Sequence, residues 1–410
     1  MNKKIITIIA VVLGIIAIGI GAYFAYKKSK EILTPGAGVE QAGEFGIASG
    51  TAEKKKLQVV SDQPVFDYWA TGGPLVFIND QTSATISVVA KAVNATSTAT
   101  STQSTATSSL ANLEKQVFYF NKSGQIFRAK DGEDEMVSDR IFENMQKIEA
   151  NNDGLMVIVR YGSLTSPQLE LFSLVSKMWQ SLEKVSAAAF SPDGTKIAYL
   201  EAGVKITSNL MIRDLVGKKK QTSKIFSLTQ KDFDLNWFDN NKIILVQKPS
   251  YLYGSEFFSI DIKNKTISSF ISGNGLMLNW SKENGEFGLK FESDIKGANG
   301  KLNLIDKSGT NRANMGFLTL PSKCSIGLAK IYCAIPQSYT SFQEPKLPDE
   351  YLKRAAYSTD AIYEIDINQN IFSGLYGETE PALDIAHFTP FDSQLLFVNR
   401  YDDKVYGLAL

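Results

Sequence analysis

Phe190-Ser191-Pro192-Asp193-Gly194-Thr195-Lys196-Ile197-Ala198-Tyr199-Leu200 is the stretch that decides the fold. Pro192-Asp193-Gly194 is a tight-turn signal, because proline presets φ and glycine accepts φ > 0. Short β-prone runs flank it, Ala187 to Phe190 on one side and Ile197 to Leu200 on the other. Together they predict one hairpin.

Weaker versions of the phrase recur. They begin at Glu149 and run through Asp153-Gly154 to Ile158, then from Leu235 through Trp237 to Leu245, and from Leu278 through Trp280 and Gly285 to Phe287. A degenerate copy spans Ala386 to Phe397. Phe190 to Trp237 is 47 positions and Trp237 to Trp280 is 43, a period that belongs to propeller blades. A third alternating strand follows each hairpin, as in Glu256-Phe-Phe-Ser-Ile-Asp-Ile262 and Ala361-Ile-Tyr-Glu-Ile-Asp-Ile367, and most units add a fourth. Four antiparallel strands make one blade.

The units number seven, at about 62–140, 144–182, 186–228, 234–271, 276–315, 318–375 and 382–410. The last holds three strands, so its fourth is expected from Lys56-Leu-Gln-Val-Val60, ahead of the first unit. Mixing both termini in one blade closes the ring and removes open sheet edges. The expected fold is all-β, a seven-bladed β-propeller over 56–410, with six or eight blades as the alternatives.

The 190–199 phrase resembles the repeat of TolB-like propellers, also found in the propeller domains of prolyl oligopeptidase-type peptidases. One unit matches well and four loosely. The resemblance implies a propeller over roughly 60–410 with periplasmic or extracytoplasmic binding proteins as relatives. It carries over no catalytic residue.

Ahead of the ring, residues 1–4 form a short tail and Ile5 to Tyr26 is apolar and uncharged. As one helix this stretch spans a bilayer core of ~30 Å. Its exit, Ala22-Tyr-Phe-Ala25-Tyr26, lacks the small-x-small pattern of a cleaved signal, so a retained single-pass anchor is expected. Lysines are nearly balanced across it, with Lys3 and Lys4 before and Lys27, Lys28 and Lys30 after, and do not set the orientation. The cysteine pair and the Ser/Thr tract place the ring outside the cytoplasm. Residues 27–55, rich in Gly and Ala, read as a flexible tether with a mean span of roughly 30 Å.

Two insertions interrupt the units. Residues 94–109 are almost wholly Ser, Thr and Ala and cannot build a core, which predicts a disordered loop within the first unit, after Leu75-Val-Phe-Ile78. It reads as a tolerated insertion, or as a glycosylated or partner-binding loop. Residues 336–360 carry Tyr339, Phe342, Tyr351 and Tyr357 among prolines and charges, with a short helix expected after Pro348. Both are expected between strands two and three, hence on one face, with Pro249 to Gly254 beside them. Tyrosine offers large apolar area and a polar tip at low entropic cost. Tyr251, Tyr253, Tyr339, Phe342 and Tyr351 are therefore the candidate partner contacts.

Chemistry is scarce by comparison. Cys324 and Cys333, the only cysteines, flank a hairpin and read as a bridge in an extracytoplasmic domain, the alternative being two buried thiols. Two Cys and one His make a poor metal set. His387, the only histidine, reads as a packed propeller residue, and a His-dependent protease is hard to build from it. No Gly-x-Ser-x-Gly elbow, P-loop or dinucleotide fingerprint is present, so no catalytic residue and no cofactor is assigned. Lys+Arg and Asp+Glu are each 43, which gives no field for nucleic acid. The functional expectation is a membrane-anchored binding or scaffold module with an envelope protein partner. The alternative is a glycan-binding or glycan-cleaving propeller.

Overall fold

The computed structural model describes residues 46–47, 56–72 and 115–410, apart from 205–206, 218–220, 231, 282–284, 328, 341–343, 370 and 378–380. The expected anchor, most of the tether, the 94–109 tract and Phe342 lie outside the described residues. Among the described residues no helix is long and apolar enough to cross a membrane.

Seven antiparallel sheets follow one another along the chain. Blade one is Val65–Ala70, Val117–Asn121, Ile126–Arg128 and Glu135–Ser138; blade two is Lys147–Ala150, Met156–Ser163, Ser166–Ser173 and Met178–Ser181. Blades three, four and five start with Val185–Phe190, Asp234–Asp239 and Met277–Trp280 and repeat the same meander. Blade six is Cys324–Ile326, Lys330–Tyr339, Ser358–Asp366 and Ile371–Tyr376. Blade seven takes Ile385–Phe391, Gln394–Asn399 and Lys404–Ala409 from the C-terminus and Leu57–Val59 from ahead of blade one. The ring is thus a seven-bladed propeller, closed as the sequence predicts.

The hairpin phrase works as a hydrogen-bonded turn. Asp193 Oδ1 accepts from Ser191 Oγ (2.5 Å) and from the Thr195 amide (3.0 Å), and the Lys196 amide donates to Ser191 Oγ (2.9 Å). Gly194 supplies the positive φ of 69° that closes it. Asp153-Gly154 does more, because its turn joins two blades. Gly154 has φ 72°, its carbonyl accepts from Trp69 Nε1 (3.0 Å), and a Cβ there would lie 2.2 Å from the Ala70 carbonyl oxygen. Cys324 and Cys333 stand directly opposite in blade six, with Cα atoms 4.2 Å apart, and are disulfide-bonded.

Strand direction defines two faces. Turns from strand one to two and from three to four lie on one; connections from two to three and from blade to blade lie on the other. Leu57 pairs with Leu408 and Val59 with Tyr406, so the closing strand starts on the first face, here the tether face, and runs toward the second. Gly46–Ile47 adds a parallel strand at Ile371–Phe372, on the outer rim of blade six.

One expectation fails here. The first strand of blade one is Val65–Ala70, and it pairs directly with Val117–Asn121. The described ends of the long insertion, Gly72 and Lys115, therefore stand at a one-to-two connection, on the tether face. The 336–360 insertion joins strands two and three and stands on the opposite face. The two insertions do not share a face. Leu75 to Ile78, read as the preceding strand, lies outside the described residues.

Candidate binding face

The blade-six insertion folds over the face opposite the start of the closing strand, and its fastenings reach three other blades. Asp349 opens the short helix Asp349–Leu352 and accepts from Ser250 Oγ (3.1 Å) and the Tyr251 amide (2.8 Å) of blade four. The Leu347 amide donates to the Gly297 carbonyl of blade five (2.9 Å). Arg354 donates to Asp403 of blade seven (2.6 Å), and Asp403 also pairs with Lys122 of blade one (3.0 Å). At the root, the Thr340 amide donates to the Tyr357 carbonyl (3.0 Å). Residues 344–357 of the insertion form an ordered cap.

Beneath the cap lies a buried ionic cluster. Lys323 precedes the first strand of blade six, is 2% exposed, and donates to Asp360 (2.6 Å), Asp384 (2.7 Å) and Ser358 Oγ (2.9 Å). Arg400 donates to Asp384 (2.8 Å) and to the Tyr351 carbonyl (2.8 Å), with its guanidinium 3.9 Å over the Tyr351 ring and 4.9 Å from that of Tyr357. Two cations and two carboxylates cancel. Burial alone would lower the Lys323 pKa, but Asp360 and Asp384 outweigh it and hold the ammonium above the usual lysine range. Sequence reasoning missed these four residues, which are scattered along the chain. A signal was present: Lys323 and Asp384 each stand immediately before an inner strand, and Lys147 and Asp234 each open one.

The candidate contacts divide. Tyr253 is 61% exposed on the connection of blade four. Tyr251 is half-buried, its ring lying on Gly297, where a Cβ would come within 2.6 Å. Tyr339 ends the second strand of blade six, half-buried, its hydroxyl pushed up to about 12, chiefly by burial. Tyr351 is buried and is no surface contact: it packs its own cap against Arg400.

A second polar feature sits at the seam between blades seven and one. His387 has φ 54° in a bulged stretch of the innermost strand, and its Nδ1 contacts Asp67 Oδ1. Its side chain is 49% exposed rather than packed, while Tyr68 Oη donates to its carbonyl (2.6 Å). A bulge re-aims a side chain, which explains why strand alternation misplaces this residue. Between blades two and four, Lys147 reaches Asp234 (3.0 Å) and Glu149 (3.2 Å). Among the described residues no group of three or more His, Cys, Asp or Glu could hold a metal ion.

The cap should be sensitive to acid. Desolvation raises the Asp403 pKa, but Arg354 and Lys122 overcome it and hold the carboxyl below its usual value; Lys147 does the same for Asp234. A carboxyl with a depressed folded pKa adds stability above its unfolded pKa, and that stability is lost as pH falls through the folded value. Asp193, Asp294 and Asp306 are lowered too, and Glu135 is lowered to about 2. Asp360 is raised by burial and opposes them, so the balance lies with loss. The thermal midpoint is expected to fall as pH drops below about 4, and to fall less steeply in Asp403→Asn, which starts lower at neutral pH because it has already lost this carboxylate's contribution. A flat midpoint from pH 6 to 3 contradicts this.

No protein-family model and no curated sequence matches the chain. Solved structures it resembles include the β-propeller domain of the trilobed protease from Pyrococcus furiosus (13% identity over 63% of this chain and 79% of that one, TM-score 0.41). Others are a catalytically inactive virginiamycin B lyase from Staphylococcus aureus with quinupristin (11%, 72% and 91%, 0.43) and the acylaminoacyl peptidase of Pyrococcus horikoshii (14%, 63% and 43%, 0.41). Likenesses this distant carry no statement about residues, ligand or activity. The propeller assignment rests on the strand order above.

Proposed function

We propose that the chain is a membrane-anchored, extracytoplasmic binding propeller, TolB-like in its repeat, that recognises a protein partner of the cell envelope through its capped face. The observation that carries this is the cap itself. An insertion fastened to blades four, five and seven is held on the face opposite the start of the closing strand, and it leaves Tyr253 in water beside it. Loops this long with fixed anchors are more often functional than slack. Apolar Ile5 to Tyr26 supports the anchor, and the disulfide supports an oxidising compartment.

Tyr253→Ala and Tyr339→Ala are each expected to weaken capture of the partner by about 1–2 kcal/mol, five- to thirty-fold. The unfolding midpoint should hardly move for Tyr253→Ala. Unchanged capture by both variants removes the proposal for this face. A second reading, glycan cleavage at the inner-strand seam between blades seven and one, is favoured by one observation, the half-exposed His387 oriented by Asp67. It requires turnover on a glycan panel that disappears in His387→Asn.

A further inference from the structure

The capped face carries a feature that the cap does not explain. In blades two to seven the connection from strand two to three exposes a large apolar side chain: Leu164, Val204, Tyr253, Ile295, Leu352 and Tyr401, from 41% to 82% exposed. On the tether face the described turns from strand three to four expose Val175 and Val216. Single exposed apolar residues are ordinary; one per blade around six consecutive blades of one face is not.

We propose that the capped face pairs with the capped face of a second copy of this chain, about a two-fold axis through blade six. This names the partner of the recognition surface proposed above and rests on that reading and on the anchor at 5–26. Three observations select a second copy. Tips on six separate connections around a disc are engaged together only by a partner as broad and flat as the disc, since a standard interface of about 800 Å² per side spans fewer. A second copy has the same diameter and the same crown.

The axis follows from the tether. Two copies anchored in one membrane need their two-fold along the membrane normal, so that both anchors point the same way. The chain runs along the rim of the disc at Gly46–Ile47, on the outer strand of blade six. Discs standing on that rim present their capped faces to each other, and the axis passes through blade six.

In a ring of seven blades this axis exchanges five with seven, four with one, and three with two. Ile295 then meets Tyr401, Val204 meets Leu164, and Leu352 meets its own copy. Tyr253 meets blade one, beside which Ile141 is 64% exposed on the same face. Charge follows the same exchange. Lys296, next to Ile295, meets Asp402, next to Tyr401, and all four are exposed. Exposed Glu183 and Lys184 connect blades two and three, lie on the axis, and face their own copies in reverse order. Opposite charges at these positions fix the register.

The test uses full-length chain in its membrane, where the native cysteines are already bonded. Under mild oxidation Leu352→Cys alone should form a covalent dimer. Ile295→Cys and Tyr401→Cys should cross-link at least about ten-fold more when combined than when separate, and Val216→Cys should stay at background. In sedimentation equilibrium the detergent-solubilised chain should show twice its mass of 45.1 kDa. Ile295→Asp should raise the dimer dissociation constant at least about ten-fold. Its unfolding midpoint, expected to be unchanged, separates lost pairing from lost folding. A single 45.1 kDa protein species at all concentrations, or equal cross-linking through Val216→Cys and Leu352→Cys, overturns the proposal. If the chain is monomeric and Tyr253→Ala still loses a different partner, the recognition face stands and the second copy is rejected.

Discussion

Lys323→Met is expected to lower stability by about 3–5 kcal/mol, because it leaves a buried carboxylate uncompensated. Lys323 is 2% exposed and gives its three protons to Asp360, Asp384 and Ser358. Asp384 keeps Arg400 in the variant, whereas Asp360 loses its ammonium and has only the Ile385 amide (2.7 Å) and Ser358 Oγ (2.7 Å) to donate to it. For a ring of this size the loss corresponds to a fall of about 5 °C in the thermal midpoint. Two further results identify the cause. The deficit should shrink as pH is lowered toward 5, since a protonated Asp360 no longer needs a partner. Lys323→Met combined with Asp360→Leu should recover part of the loss, because two apolar groups replace an ion pair at little net cost. A single variant within about 1 kcal/mol of the parent would show that the cluster is hydrated.

Removing residues 1–60 has the other large effect expected. The closing strand is three residues long, and Leu57 is only half-buried, so little apolar surface is lost. Its backbone matters more. The pairing of Leu57–Val59 with Tyr406–Leu408 and the Val60 amide bond to Val405 (2.8 Å) disappear, as does acceptance of the Val405 amide by Ser61 Oγ once the seam loosens (2.9 Å). At about 0.5–1.5 kcal/mol for each of some four bonds, roughly 2–6 kcal/mol is lost. The strand Lys404–Ala409 then becomes an open edge carrying Val405 and Leu408, and edges of this kind aggregate. The chain lacking only residues 1–55 is the control and should remain monodisperse at concentrations below those of any pairing. Equal midpoints for the two truncations would mean that the ring is not closed by this strand.

Much of the ring was legible, for a physical reason. A blade is a local meander whose hairpins need turn residues, so Pro192-Asp193-Gly194 and Asp153-Gly154 mark it directly. The unpaired fourth strand of blade seven pointed to Leu57–Val59, and the hairpin between Cys324 and Cys333 to their bridge. Blade one was harder to read. Its first strand has a register shift between Val65 and Asp67, so apolar alternation breaks where the strand lies. Leu75 to Ile78 is an unbroken apolar run, and reading it as a strand puts the insertion one strand too late and on the wrong face. Tyr351 reads as a surface residue in the sequence because its partner, Arg400, is 49 positions away and belongs to another blade. Lys323, Asp360, Asp384 and Arg400 share no spacing; only the ring brings them together.

The central claim is that the capped face, away from the start of the closing strand, does the binding. Photo-activatable phenylalanine placed one position at a time in full-length chain, and irradiated in native membranes, tests it most directly. Tyr253 and Tyr401 on the capped face should give discrete protein adducts, while Val175 and Val216 on the tether face should give none. Adducts from Val175 and Val216, with Tyr253 and Tyr401 silent, would contradict the account.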